Sequence, residues 1–234
     1  FTGFVVGGSV ISTDNDKVGP EIKPFLNDEK FVNGGISNES PVLILKLSDS
    51  SGINTVGTGI GHDIVATLDN DKNQFFILND FFQGELNSYQ QGAVRFQLPE
   101  LEPGMHSLKI KAWDVLNNSN EVLLDFVVAK NEELQLSHVL NYPNPFTTRT
   151  EFWFEHNKPG QDLMVRLQIF TLTGRVIKTF QKTINTAGNR SNELEWDGRD
   201  EYGDKMGKGV YLYKLSVIAP GKLRKEKIEK LVLF

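Results

Sequence analysis

"NYPNPF", residues 141–146, stands between two runs of alternating apolar and polar residues and decides how the chain divides. Proline has no backbone N–H to give to a sheet ladder, and it pushes the residue before it towards an extended conformation. Pro143 and Pro145 lie one residue apart, with Tyr142 and Phe146 outside them. Tyr142 to Pro145 is therefore expected to be a stiff, extended lead-in, not a central strand. A second structural unit is expected to begin there.

The bulk properties agree with a division. A chain of 234 residues suits one large or two modest domains. With 39% apolar and 24% charged residues it can bury a substantial core. No apolar run approaches the ~20 residues of a membrane helix. The start, "FTGFVV", reads as a strand and not as the basic end of a signal peptide, so the chain is expected to be a fragment of something longer. The absence of cysteine excludes thiol nucleophiles, thiolate metal sites and disulfides from the chain. Residues 1–131 hold 9 Lys+Arg against 17 Asp+Glu, and residues 132–234 hold 16 against 13. Net charges of −8 and +3, together the overall −5, favour two domains and oppose a general nucleic-acid binder.

Upstream of "NYPNPF", short apolar runs recur between turn signals. "FTGFVVGGSVIS" reads as the last strand of an earlier element and "TDNDKVGP" as a polar hinge, with residues 1–18 preceding the first domain. Strands are expected at "VLILKLS" (42–48), "DIVATLD" (63–69), "QFFIL" (74–78), "AVRFQL" (93–98), "HSLKIKAWD" (106–114) and "EVLLDFVVA" (121–129). Leu108, Ile110 and Ala112 alternate with Lys109 and Lys111, the period of a half-buried strand. "LNDFFQGELNSY" is expected to make one short turn. Residues 19–131 thus read as an immunoglobulin-like sandwich, and "KNEELQLSH" (130–138) as a polar linker.

Downstream the pattern repeats. "TEFWFEH" sets Phe152 and Phe154 against Trp153, "MVRLQIF" puts Val165, Leu167 and Ile169 on one face, and "NELEWDG" alternates Leu194 and Trp196 with Glu193 and Glu195. "RVIKTFQ", "GVYLYKLSV" and "KLRKEKIEKLVLF" complete the set. The fold class is all-β: two tandem immunoglobulin-like antiparallel β-sandwiches, the second over 137–234. Pro143 and Pro145 are expected to keep an exposed edge from pairing onward. Gly174 stands where a tight hairpin needs a positive φ. Gly198, Gly203, Gly207 and Gly209 permit a compact loop, with Gly209 letting the next strand start close beneath Trp196 and with Tyr211 and Tyr213 packing near it.

The ordered blocks "NYPNPF", "VRLQIFTLTGRVIKTF", "WDGRDEYGDKMGKGVYLYKL" and a basic last strand resemble the C-terminal secretion domain of type IX secretion in the Bacteroidetes. A related pattern occurs in the immunoglobulin-like domain of flagellar hook-capping proteins. The resemblance covers residues 137–234. It implies an address read by an outer-membrane translocon and a shuttle barrel, which in most cargo is removed as the protein is joined to surface lipopolysaccharide. The upstream stretches "PEIKPFLNDEKFVNGG", "SDSSGIN", "GIGHDIVATLD", "LNDFF" and "KAWDVLNNSN" resemble the region just before that tail in the type IX secretion sortases, which look like gingipain-type cysteine peptidases followed by immunoglobulin-like domains. The resemblance implies a non-catalytic C-terminal part of an exported protein at the outer membrane of a Gram-negative bacterium. The catalytic Cys and His would lie upstream, and the tail would be retained and dock onto the shuttle barrel.

Other patterns read more plainly. "GTGIGHD" (57–63) echoes a dinucleotide fingerprint, but a strand follows it where a helix is needed, so His62 reads as a turn residue. "GDKMGKGV" lacks the end of a phosphate loop and leads into a strand, which makes it a hairpin loop. Asp14, Asn15 and Asp16, with Asp114, Asn117 and Asn118, supply the oxygen donors calcium uses, as do Asp197 and Asp200, and polar turns account for them equally. His62, His106, His138 and His156 are too scattered for a zinc site. Nothing marks a serine as a nucleophile. Lys222, Arg224, Lys225, Lys227 and Lys230 read either as a solvated edge that blocks unwanted pairing or as a docking strand for a partner or anionic lipid. A carbohydrate-binding accessory module is the rival, with Trp153, Phe81 and Phe82 as exposed aromatics; a plain spacer is the third reading.

Overall fold

The computed structural model describes residues 16–56, 61–86, 88–130 and 133–234. "FTGFVVGGSVIS", Asp14, Asn15 and residues 57–60 of "GTGIGHD" lie outside the described residues. The chain is all-β, with short 3-10 turns at Asn79–Phe81 and Pro220–Lys222.

Among the described residues, nine strands build the first sandwich: β1 (Glu21–Leu26), β2 (Ile36–Ser37), β3 (Val42–Ser48), β4 (Val65–Leu68), β5 (Phe75–Ile77), β6 (Phe82–Gly84), β7 (Gln91–Gln97), β8 (Gly104–Trp113) and β9 (Ser119–Val128). They form two sheets, in the orders β1-β3-β7-β6 and β2-β9-β8-β4-β5. Every pairing is antiparallel except that of β2 with β9. A first strand that splits between two sheets and joins the last strand in parallel is the layout of an immunoglobulin-like sandwich. The alternation read from the sequence places Leu108, Ile110 and Ala112 in the core with Leu43, Leu45, Leu47, Leu124 and Phe126. Each of the leucine, isoleucine and phenylalanine side chains contributes roughly 1.5–3 kcal/mol by leaving water. On the wet side Lys111 pairs with Glu121 across strands at 3.4 Å.

Strands β1, β2 and β6 were not legible in the sequence. Pro24 sits within β1, which it can do because β1 is an edge strand. β2 is two residues long, and "LNDFFQGELNSY" gives a 3-10 turn that runs on into β6.

Seven strands of the described residues build the second sandwich: β10 (Leu136–Tyr142), β11 (Thr150–His156), β12 (Leu163–Thr171), β13 (Val176–Ile184), β14 (Arg190–Trp196), β15 (Gly209–Ala219) and β16 (Leu223–Leu233). Their sheets run β10-β11-β14 and β13-β12-β15-β16. Phe152, Phe154, Val165, Leu167, Ile169, Trp196, Tyr213, Leu215, Leu231 and Leu233 meet between them. Gly174 takes φ +87° in the turn from β12 to β13. "KNEELQLSH" is not wholly a polar linker: Leu134 and Leu136 are buried in this second core, and β10 starts at Leu136. Two leucines in a polar run are too brief a period-two signal to mark a strand.

The segment 142–145 departs from the expected extended lead-in. Tyr142 is the last residue of β10, and the chain then bends through 143–145 with both X-Pro peptide bonds cis. It bends because it must cross from the three-stranded sheet to the four-stranded one. There Phe146 pairs in parallel with Leu233 at the end of β16. Beyond the prolines, Phe146 thus covers the end of the β16 edge.

The two sandwiches touch directly. Asn27 donates to Asn189 at 2.6 Å, and Lys30 donates to Asn192 at 3.3 Å. Buried Glu155 accepts the Ile36 N–H at 3.5 Å and lies 2.8 Å from His138 Nδ1. A Cβ on Gly188 would fall 2.1 Å from Asp28 Cγ, so a larger residue there would have to displace the Asp28 carboxylate.

Candidate functional site

β16 is the outer strand of the four-stranded sheet. It pairs with β15 from Gly209↔Leu233 to Ala219↔Leu223. Leu231 and Leu233 are buried, whereas Arg224 to Lys230 are exposed. Lys225, Lys227 and Glu229 stand opposite Val217, Leu215 and Tyr213, all three of which belong to the core. These charges therefore lie on the core-facing side of β16, where the other sheet does not cover them. Inward charge on an edge strand opposes indiscriminate edge-to-edge pairing. On the opposite face Arg224 bonds Glu226, and Arg224 with Ser216 holds the Glu226 carboxyl below its ordinary range. Lys222, Lys225, Lys227 and Lys230 make no ion pair among the described residues. Beneath this rim the Tyr213 ring packs edge-on against Phe152, and its buried hydroxyl has no hydrogen bond among the described residues. Burial, with nearby Glu229, raises the Tyr213 phenol far above its ordinary value.

The far end of β16 is clamped. Val232 N–H donates to Asn144 Oδ1 at 3.0 Å, and Asn144 Nδ2 donates to the Lys230 carbonyl at 3.3 Å. Phe146 N–H donates to the Val232 carbonyl at 3.0 Å, and Phe234 N–H to the Phe146 carbonyl at 2.8 Å. The Phe146 ring lies against Trp196, which also meets Tyr211 edge-on. Trp196 Nε1 donates to the Arg199 carbonyl at 2.7 Å, and Tyr211 donates to the Gly207 carbonyl. Gly198, at φ +77°, leaves room for Leu233, which a Cβ would approach to 3.4 Å. Gly203 has φ +89° in the same loop. A Cβ on Gly209 meets nothing within 4 Å, and one on Gly198 would make only ordinary contact with Leu233. The carboxylates of this loop serve its turns: Asp197 accepts the Arg199 N–H, and Asp200 accepts those of Tyr202 and Asp204.

A second cluster lies at the start of the first sandwich. Carboxylate oxygens of Asp16, Asp49 and Asp114 lie within 4.8 Å of one another. Asp16 and Asp114 were candidates from the sequence; Asp49 was missed because "SDSSG" carried only a turn signal. Asp114 is buried and accepts the Leu116 and Asn118 N–H groups and the Asn118 side-chain amide. Asp16 accepts from Ser51, Val18 and Ser50, which hold its carboxyl below the ordinary value. Asp49 accepts the Ser51 and Gly52 N–H groups, yet burial, helped by Asp114 and Asp16, pushes it up. This all-oxygen set has the chemistry of a calcium site, and it also stands as an assembly of hydrogen-bonded turns.

The histidines do separate tasks. His62 stacks on Trp113 with ring centroids 4.3 Å apart. His106 Nδ1 lies 2.8 Å from Asp69, but Nε2 faces the Glu102 carbonyl at 2.7 Å, which leaves neither nitrogen to activate a serine. His156 Nδ1 accepts the Lys158 N–H, so Nε2 carries the proton towards Thr186 Oγ1. Burial lowers His156 from 6.5 to about 4. The aromatic groove is not assembled from its three candidates: Phe81 packs on Phe96 and Phe82 on the first core, whereas Trp153 lies under Arg190 in the second sandwich.

No family model and no curated protein matches the chain. Among solved structures, that of dimeric latent PorU from Porphyromonas gingivalis is similar at 31% identity, covering 94% of this chain and 20% of that one, with a TM-score of 0.49. This chain thus spans a fifth of that protein's length. Salmonella alpha-2-macroglobulin reacted with methylamine follows at 13% identity, covering 93% of this chain and 15% of that one, with a TM-score of 0.33.

Proposed function

We propose that the chain is a docking module: the non-catalytic C-terminal part of a PorU-like cell-surface sortase, which seats its parent on the outer-membrane machinery of type IX secretion through the second sandwich. The observation that carries this reading is β16, a charged edge left open over most of its length and fixed at its end by the "NYPNPF" crossing. The ordered blocks of the second sandwich support the reading, and so does the 31% identity with PorU along nearly the whole chain.

The test is retention of detergent-solubilised outer-membrane proteins from a type IX-secreting bacterium on the immobilised chain. Deleting β16 is the wrong control, because it removes Leu231 and Leu233 from the core. Lys225→Glu with Lys227→Glu changes the rim and spares the core. Retention of a shuttle barrel by the native chain, lost in that variant, supports docking through β16; equal retention by both moves the contact elsewhere, and no retention removes the reading.

A further inference from the structure

The hydrogen-bond parity of β16 shows which of its backbone groups are open. In an antiparallel pair each residue either exchanges both its bonds with its partner or points both away. Val232 points both groups away from β15: its N–H goes to Asn144 and its carbonyl to Phe146. Residues of the same parity, Lys230, Ile228, Glu226 and Arg224, must point the same way. The Lys230 carbonyl confirms it by accepting from Asn144. Beyond the clamp, Arg224, Glu226 and Ile228 each present an N–H and a C=O outward on an edge that, among the described residues, no other strand of the sheet covers.

From this we propose that β16 accepts an extended partner segment as a fifth strand of its sheet, and that this segment carries acidic side chains at alternate positions. The proposal rests on the docking reading and names the partner's chemistry. A strand laid along residues 224–228 meets Lys225 and Lys227 on one face, and neither has an ion pair among the described residues. Cross-strand charge pairs favour acids there. On its other face the added strand meets the Arg224–Glu226 pair and exposed Ile228, which favour neutral or apolar residues. A second copy of this chain fits poorly. An antiparallel pair using the whole open stretch centres on Glu226 and sets Lys225 against Lys227 twice. Main-chain bonds then supply affinity and the two lysines select the partner.

The probe is a synthetic peptide of alternating Glu and Val, added to the full chain at low salt, with an alternating Lys and Val peptide as control. Binding of the acidic peptide alone, with at least tenfold slower amide exchange at Arg224, Glu226 and Ile228, is the expected result. Ile228→Pro removes an outward N–H and leaves the ladder to β15 intact, as edge prolines do. It should keep the native melting temperature and weaken the peptide at least tenfold. Lys225→Glu with Lys227→Glu should exchange the preference of the two peptides. Four outcomes overturn strand addition: peptide binding without protection of those amides; no binding of either peptide; sedimentation as a dimer through this edge; or binding to phosphatidylglycerol vesicles in place of peptide. If the native chain and Ile228→Pro retain a shuttle barrel equally, strand addition fails and docking stands. If neither retains one, the docking reading itself fails.

Discussion

Asn144 grips Val232 across the seam between the two sheets of the second sandwich, its Oδ1 taking the Val232 N–H at 3.0 Å. The same side chain holds the Lys230 carbonyl. An asparagine between two prolines thus fixes the end of a strand 88 residues further on. The last strand is anchored where it closes the core and open where it faces solvent.

Asn144→Ala removes both side-chain bonds. It should cost about 1–2 kcal/mol and speed amide exchange at Val232 while leaving the exchange of β12 unchanged. Urea melts and exchange by NMR check both; unchanged protection at Val232 would show that Phe146 alone holds the strand.

The approach of Gly188 to Asp28 welds the two sandwiches. Gly188→Ala forces the new methyl into the Asp28 carboxyl, with a cost of about 1–3 kcal/mol of the kind overpacking gives. Asp28→Ala in the same chain should recover at least about 1 kcal/mol of that loss, since contacting residues couple. Additive losses in a double-mutant cycle would mean that the contact is not made in solution.

His156 is buried and neutral, with folding lowering its pKa from 6.5 to about 4. The unfolded chain binds a proton in that window and the folded chain does not, so stability falls as pH drops from 6.5 towards 4. The full effect is roughly 3 kcal/mol. His156→Gln should flatten this part of the stability–pH curve, as measured by urea melts across the range.

Asp49 carries the opposite sign. Folding raises its pKa, so the folded chain takes up a proton more readily and stability from this group rises as pH falls through that window. Asp49→Asn keeps an acceptor for Ser51 and Gly52 and should raise the melting temperature at pH 7. A native chain stabilised by millimolar calcium, with Asp49→Asn indifferent to it, would instead assign the three carboxylates to a cation.

The sequence revealed the strands that carry clean alternation. "MVRLQIF" falls within β12 because Val165, Leu167 and Ile169 are buried while Met164 and Arg166 stay exposed; "VLILKLS" and "TEFWFEH" match β3 and β11 residue for residue although Ile44 and Glu155 are buried as well. It hid β1, whose Pro24 argues against a strand until its edge position is known, and β10, whose start is polar. The basic residues of β16 were visible as a run. Their division into outward and core-facing sets was not, because register depends on the pairing with Gly209–Ala219. Asp49 joins Asp16 and Asp114 only through folding, since it is far from both in sequence.

Docking through β16 is tested most directly by site-specific photo-cross-linking. A photoreactive amino acid replaces Ile228 on the open edge or, as control, Thr179 on β13 at the opposite edge of the same sheet. Each chain is then irradiated with solubilised outer membranes of a type IX-secreting bacterium. A β-barrel protein cross-linked from position 228 and not from 179 is the expected result. Equal cross-linking from both positions, or none from 228 under conditions where the chain is retained, would contradict docking through the last strand.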